Sequence, residues 1–455
     1  MNHLSTAFRW VVLVTTMLFA LSWLPDCTIG KMSFRKISIF SDIIVEKAAD
    51  STVLAQADTI TNTADTTLID TIPIQNTPIL ADLPCPKGSV CIEDFSEKQN
   101  TLSRFIDALT LLETKKRQKV RIAWFGDSFS EGDMITGALR DSLQREYGGD
   151  GVGFVPITSP VAKLRPTIGH SFSNWKTYSV LDKTTTTVPY GFSGETFLPL
   201  GTSTVSYKGV DFVGGSEVFG SVRFFYSNAQ AGASVSVSLD KEKTQNAAIS
   251  VDTAKLHQIK INALGSSEIA ATFKGKMRVF GASMESDNGV YLDNFALRGN
   301  PGRRLERIEG RLLAQIQTIQ NYDLIVLQYG LNVTSTTLKN YDFYEKEFTE
   351  TVQFIQKCCP KAAIILLGTS DRLTHNAKGN LASYPGIETL TEAQRNIAKT
   401  CGIAFWDTRK AMNSTGGMVA WHTRGHTASD YTHLSWAGGK RMAALFYKAL
   451  LHQIK

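Results

Sequence analysis

The sequence predicts an α/β protein: a three-layer parallel sheet interrupted by an inserted β-sandwich or jelly-roll domain. Three observations carry that expectation. On both sides of the chain's middle, short apolar runs ending in glycine or polar clusters alternate with amphipathic stretches of helix length. Between 161 and 286 no long helical pattern occurs, and Gly, Ser, Thr and Val dominate. The 455 residues, 43% hydrophobic and 20% charged, suffice for two or three domains of roughly 100–200 residues with ordinary soluble composition.

The N-terminal 1–30 read as a signal peptide or membrane anchor. Arg9 precedes an uncharged run, Trp10–Leu24, whose length suits the apolar part of an export signal or a short single anchor. Leu24-Pro25-Asp26-Cys27 lacks the small residues of a lipoprotein cleavage site, and Lys31, Arg35 and Lys36 follow the run. Export is expected, with cleavage of the segment and its retention as an uncleaved anchor weighed equally. Residues 31–92 read as a flexible linker. No aromatic residue occurs from Ser41 to Asp94, and no Lys or Arg from Ala48 to Pro86. Such a stretch buries too little apolar surface to offset its ordering entropy. Cys85 and Cys91 bracket PKGSV and could close a small loop in an oxidising compartment, whereas the pairing of Cys358, Cys359 and Cys401 stays open.

The α/β pattern occupies 93–160 and 287–455. An amphipathic stretch near Phe95–Leu112 leads into VRIAWFGDS, a strand ending at Gly126, followed by a helical pattern over Met134–Tyr147. Further helices are expected over Arg303–Ile319, Phe343–Gln356, Leu390–Thr400 and Ala437–Ile454. Between them lie the apolar runs at 322–330, 362–371 and 402–408. Within 161–286, SVRFFYSN and ASVSVSLD alternate as half-buried strands do.

In open parallel sheets, ligands bind at the carboxyl ends of the strands. The first strand delivers Gly126-Asp127-Ser128, with a helix expected just afterwards whose free amides could stabilise an oxyanion. The strand at 322–330 delivers Asn332 to the same edge, and Leu297-Arg298-Gly299-Asn300 offers backbone that a ligand can approach closely. Asp430 and His433 stand three residues apart before the final helix, a spacing that lets the carboxylate fix the imidazole's tautomer.

GDSFSEGD (126–133), LRGNPG (297–302), QYGLN (328–332) and DYTHLS (430–435) together resemble the SGNH, or GDSL, hydrolase superfamily. The resemblance implies an SGNH-type (flavodoxin-like) domain and a serine esterase. It assigns Ser128 as nucleophile, His433 as general base and Asp430 as the carboxylate that orients it. The Ser128 and Gly299 amides and the Asn332 side chain would form the oxyanion hole, with Gly302 or Gly194 as alternatives to Gly299. The β insert is similar in placement to that of exported peptidoglycan O-acetylesterases, which carry a carbohydrate-binding-module-like domain there. The expected substrate is therefore an O-acetylated cell-envelope carbohydrate, peptidoglycan above all, and the expected location periplasmic or envelope-associated. No cofactor is implied.

Three rivals remain open. An O-acetyltransferase could use the same triad, and an inactive glycan-binding protein could use the β insert alone. A metal hydrolase could use His422, His426 and His433 with Asp430, although TRGHTASDYT reads as loop. Trp175, Phe192, Phe224 and Phe225 suit a sandwich core better than a sugar platform, and Arg298 suits a surface ion pair better than an anionic substrate. The net charge of +6 is spread thinly without a Lys/Arg block, so a nucleic-acid partner is not expected.

Overall fold

A computed structural model of the chain describes residues 88–454, apart from 184–185, 243, 253–254, 336, 339 and 377, together with two short strands nearer the N-terminus. Those two, Cys27–Ile29 (β1) and Met32–Phe34 (β2), pair antiparallel. The apolar run Trp10–Leu24, most of the linker and Cys85 lie outside the described residues. Residues 77–455 form one compact unit, separate from 1–76.

The strands of that unit are Glu93–Asp94 (β3), Lys119–Gly126 (β4), Gly153–Val155 (β5), Gly169–Ser179 (β6), Glu195–Lys208 (β7), Phe219–Ser227 (β8), Ser234–Leu239 (β9), Gln245–Ala247 (β10), His257–Ser266 (β11), Glu268–Lys274 (β12), Arg278–Glu285 (β13), Gly289–Asn294 (β14), Leu324–Gln328 (β15), Ala363–Leu367 (β16), Leu373–His375 (β17), Leu381–Ser383 (β18) and Ala404–Trp406 (β19). Its α-helices are Ser103–Glu113 (α1), Thr136–Tyr147 (α2), Gly310–Gln320 (α3), Asp342–Cys358 (α4), Ile387–Cys401 (α5), Thr408–Asn413 (α6), Gly417–Thr423 (α7) and Trp436–Ile454 (α8).

The central sheet runs β14-β4-β15-β16-β19-β3, parallel throughout except for β3, which closes one edge antiparallel. Its strands are buried on both faces, and the period of two along each strand divides their side chains between two cores. Ile122, Trp124, Val326, Ile365 and Trp406 face α1, α2 and α8, meeting Leu109, Leu139 and Phe446. Ala123, Phe125, Leu327, Ile364 and Phe405 face α3, α4 and α5, meeting Ile316, Phe348 and Ile397. This is the three-layer α/β arrangement, and it brings the carboxyl ends of β4 and β15 side by side.

All strands from β5 to β13 lie in sequence between β4 and β14, which are neighbours in the central sheet. They form one antiparallel sheet, β10-β9-β12-β7-β13-β8-β11, with β6 on β7 and β5 on β13. Three strand spacings separate β12 from β8, roughly 14 Å in a flat sheet. Yet the rings of Phe273 and Phe224 lie 5.6 Å apart, so the sheet folds over itself around a core. Phe192, Phe224 and Phe225 are buried in it or beneath it, and Trp175 sits at its margin with Nε1 donating to the Thr204 carbonyl.

The two sheets are joined by charge as well as by packing. Glu285 of β13, fully buried, accepts from Arg121 and Lys119 of β4 and from Arg223 of β8. Such a buried cluster survives because every charge in it has a partner. A second one binds Asp133 to Arg140 and Arg165.

Several elements differ from expectation. The helix expected directly after the Gly126–Ser128 turn does not begin there. Asp133 has φ +66° and Gly132 φ +69°, left-handed positions that interrupt any helix, and α2 starts only at Thr136. The edge strand β14 was not anticipated from GVYLDN, and α3 starts at Gly310 after a single 3₁₀ turn at Leu305–Arg307. Cys91 is disulfide-bonded, while Cys358, Cys359 and Cys401 are free thiols.

Candidate active site

The turn carrying Ser128, the expected nucleophile, follows β4. Asp127 is fully buried there, and its carboxylate organises the turn around itself. Oδ1 accepts from the Phe129 amide at 2.9 Å and from Gln328 Nε2 at 3.3 Å, and Oδ2 accepts from Asn332 Nδ2 at 3.1 Å. Burial pushes the Asp127 carboxyl up to about 6, against the pull of those hydrogen bonds and of His433. The Gln328 side chain also accepts from Ser130 Oγ at 2.8 Å, so the end of β15 clamps the turn.

Ser128 projects from this turn, partly buried. The amides of Phe129, Ser130 and Glu131 are all bonded to Asp127, through its side chain or its carbonyl. The Ser128 amide alone among these four has no acceptor among the described residues. The expected stabilising amides of a helix N-terminus are therefore replaced by one open amide in a turn.

The Asp430–His433 segment is held by its own hydrogen bonds. Asp430 Oδ1 accepts from the amides of Thr432 and His433, each at 3.0 Å. Tyr431 between them has φ +53°, a left-handed conformation uncommon outside glycine. Its carbonyl accepts from the Leu373 amide, and its ring lies 4.3 Å from that of His422. Behind the segment, α8 approaches the α2 side very closely, since a Cβ on Gly439 would overlap the Met134 carbonyl oxygen. That approach sets His433 against the nucleophile turn.

The result is a continuous relay. His433 Nε2 lies 2.9 Å from Ser128 Oγ, and His433 Nδ1 lies 2.5 Å from Asp430 Oδ2. Burial pushes the Asp430 carboxyl up, but the hydrogen bonds from the His433 ring and from the His433 and Thr432 amides outweigh it and hold it below the usual carboxylate range. With Nδ1 donating to Asp430, Nε2 is free to accept the serine proton.

The structure separates the three glycines open at the sequence level. Gly302 donates its amide to Asn300 Oδ1 at 2.9 Å, and Gly194 donates to the Gly191 carbonyl. The Gly299 amide has no acceptor among the described residues, and its φ of +78° suits glycine. Gly299 and Asn332 border one cavity of about 290 Å³. Asn332 carries a complication, however. Its Nδ2 lies 3.1 Å from Asp127 Oδ2 and 3.2 Å from the Asn300 carbonyl, so both of its N–H groups have acceptors.

The remaining candidates fall away from the chemistry. Arg298 is ion-paired to Glu131 at 3.0 Å. His422 bonds Thr427 Oγ1, and His426 packs edge-on to Trp421. Among the described residues no group of three His, Cys, Asp or Glu could hold a metal ion, and no helix is long and apolar enough to cross a membrane.

The GDSL-like lipase/acylhydrolase family model matches residues 263–441, which takes in Gly299, Asn332, Asp430 and His433 and leaves Ser128 upstream of the antiparallel sheet. A solved peptidoglycan O-acetylesterase is similar in fold, with TM-score 0.65 and 18% identity over 80% of this chain and 99% of that one. A lipase/acylhydrolase from Enterococcus faecalis matches at 17% identity over 37% of this chain and 79% of its own, with TM-score 0.27. A family two carbohydrate esterase from Cellvibrio japonicus matches at 10% identity over 62% and 98%, with TM-score 0.26. No curated protein matches the chain by sequence.

Proposed function

We propose that this GDSL-type carboxylic ester hydrolase removes O-acetyl groups from a cell-envelope carbohydrate, peptidoglycan first, in an exported, periplasmic or envelope-associated setting. The observation that carries the reading is the relay from Ser128 Oγ through His433 to Asp430, at 2.9 and 2.5 Å. His433 takes the serine proton as Oγ attacks the ester carbonyl, and Asp430 stabilises the imidazolium that forms. The open amides of Ser128 and Gly299 receive the oxyanion. Asn332 joins them by exchanging the Asn300 carbonyl, its longer contact, for the developing charge. The His433 imidazolium then protonates the departing sugar oxygen, releasing it as the hydroxyl, and the neutral imidazole activates water to hydrolyse the acetyl-serine. The glycan substrate rests on likeness of fold to the peptidoglycan O-acetylesterase and on the antiparallel sheet beside the site.

A hydrolase fits better than a transferase. The His433 and Asp430 side chains are 40% and 47% exposed, so water reaches the acyl-enzyme, whereas a transferase must exclude it. An inactive glycan-binding protein would have no use for hydrogen-bonded triad geometry. Rapid acid quench of the enzyme with an aryl acetate, followed by peptide mass spectrometry, tests the route. One acetyl group on the peptide carrying Ser128 is expected; an acetyl group on another residue, or none while acetate is released, overturns it.

A further inference from the structure

A cavity of about 130 Å³ lies where the two sheets meet, bordered by Glu131 and Gly132 of the nucleophile turn and by Leu297 and Arg298, immediately before Gly299. Its walls are mostly apolar, with Phe154, Val161, Leu181 and Phe295 prominent. Nearly all its polar side chains are already engaged. Arg298 is paired with Glu131, and Arg165 with Asp133. His170 Nε2 meets the Ile157 carbonyl, and Asn294 bonds the Ser130 carbonyl, Asp133 and Thr136. Ser159 and Ser179 accept from the amides of Val161 and Leu181.

Two groups are left over. Ser193, 3% exposed, has a buried hydroxyl without a partner, and the partly buried Glu195 has no side-chain hydrogen bond among the described residues. They stand two residues apart, at the entry to β7, and both line the cavity. Leaving a buried polar group unpaired costs about 1–3 kcal/mol, so the orphaned Ser193 hydroxyl, with the unengaged Glu195 carboxyl lining the same space beside the Ser128 turn, points to a ligand.

The chemistry of that ligand follows from the walls. An engineered cavity of about 150 Å³ takes up benzene, so this one accepts a group of that order and not a whole sugar. The guanidiniums of Arg165 and Arg298 are already paired with carboxylates, so they offer an ionic ligand no free counter-charge. Burial, with Glu131 and Asp182 nearby, pushes the Glu195 carboxyl up to about 8, so at neutral pH it offers one donor and one acceptor and repels an anion little. Ser193 offers the same pair. A methyl group for the apolar walls, one carbonyl and one N–H describe an acetamido group.

We infer that this cavity receives the acetamido group of an N-acetylated amino sugar bearing the acetyl ester, with Ser193 and Glu195 making its two hydrogen bonds. The inference rests on the esterase reading, and the two can fail separately.

The test compares kcat/KM of the full-length enzyme for 6-O-acetyl-N-acetylglucosamine and 6-O-acetylglucose, with the 6-O-acetyl free amine as a third arm. The wild type should favour the acetamido sugar at least tenfold over both others. Glu195→Ala and Ser193→Ala should each bring that ratio close to one, and Glu195→Gln, which keeps a donor and an acceptor, should hold most of it. Melting temperatures establish that each variant is folded. A ratio unchanged in all three variants, or a wild-type preference for the free amine or for glucose, overturns the pocket: the cavity then holds water or a cation. Turnover of an aryl acetate by wild type and Ser128→Ala judges the esterase reading independently of any sugar.

Discussion

Asn332 Nδ2 lies 3.1 Å from Oδ2 of the buried Asp127, which ties the one side-chain donor of the proposed oxyanion site to the residue preceding the proposed nucleophile, Ser128. Asp127 thus acts through others. It fixes the Ser128 turn by its bond to the Phe129 amide and fixes the Asn332 amide across the site.

That placement has a cost in stability. The folded chain holds the Asp127 proton up to about pH 6, whereas an unfolded aspartate releases it near pH ~4. The native state therefore binds more protons in that window, and stability falls as pH rises through it. Asp127→Asn should lower kcat at least tenfold with little change in KM, yet melt no lower than wild type at pH 8. The gain in melting temperature should shrink towards pH 4. Paired melting curves and kinetics check both halves; a variant less stable than wild type at pH 8 would sink the account of Asp127 as a positioning residue held at a penalty.

Asn332→Ala should lower kcat by about 10²–10³ and leave KM nearly unchanged, as loss of one oxyanion donor does, on the order of 2.7–4 kcal/mol. Steady-state kinetics on an aryl acetate suffice. A rise in KM at constant kcat would show that Asn332 binds the ground state instead.

Asp430→Asn keeps the shape of the Asp430–His433 turn but lets the imidazole settle in the wrong tautomer, so kcat should fall roughly 10⁴-fold. Circular dichroism should be unchanged. A loss under tenfold would mean that Thr432 and the turn geometry orient His433 without the carboxylate.

Glu285 governs stability at the seam between the two sheets. Burial pushes its carboxyl up, but Arg121, Arg223 and Lys119 outweigh that and hold it well below the usual range. It stays ionised in the fold where an unfolded glutamate would take up a proton, so its contribution is present above about pH 4.3 and is lost as pH falls below that. Glu285→Gln strands those cations and should cost roughly 3–5 kcal/mol at pH 7, with the gap to wild type narrowing in acid. Denaturant unfolding at pH 7 and pH 3.5 measures it; equal stability at pH 7 would contradict the role given to this cluster.

The sequence made the parallel sheet legible because its strands, buried on both faces, are short continuous apolar runs such as IAWF and LIVL, bounded by glycine. The candidate site residues were legible because Ser128, Asn332, Asp430 and His433 each follow a strand end or precede the last helix. What escaped depends on tertiary contact. The strand β14 was hidden because GVYLDN mixes glycine, aspartate and asparagine, whose polar groups find partners only in the fold. The delayed start of α2 follows from left-handed Gly132 and Asp133, which read locally as helix entry. Gly299 is set apart from Gly302 and Gly194 by an amide without an acceptor, and no local pattern records that. Ser193 and Glu195 resemble turn residues until the partners of every neighbour in their cavity have been counted.

The most direct test of the triad is acetate release from O-acetylated peptidoglycan by the full-length enzyme and by Ser128→Ala, measured side by side with circular dichroism on both. Release by the wild type alone, with both proteins equally folded, is the predicted result. Equal release by folded Ser128→Ala would contradict the mechanism, and release by neither would contradict the substrate.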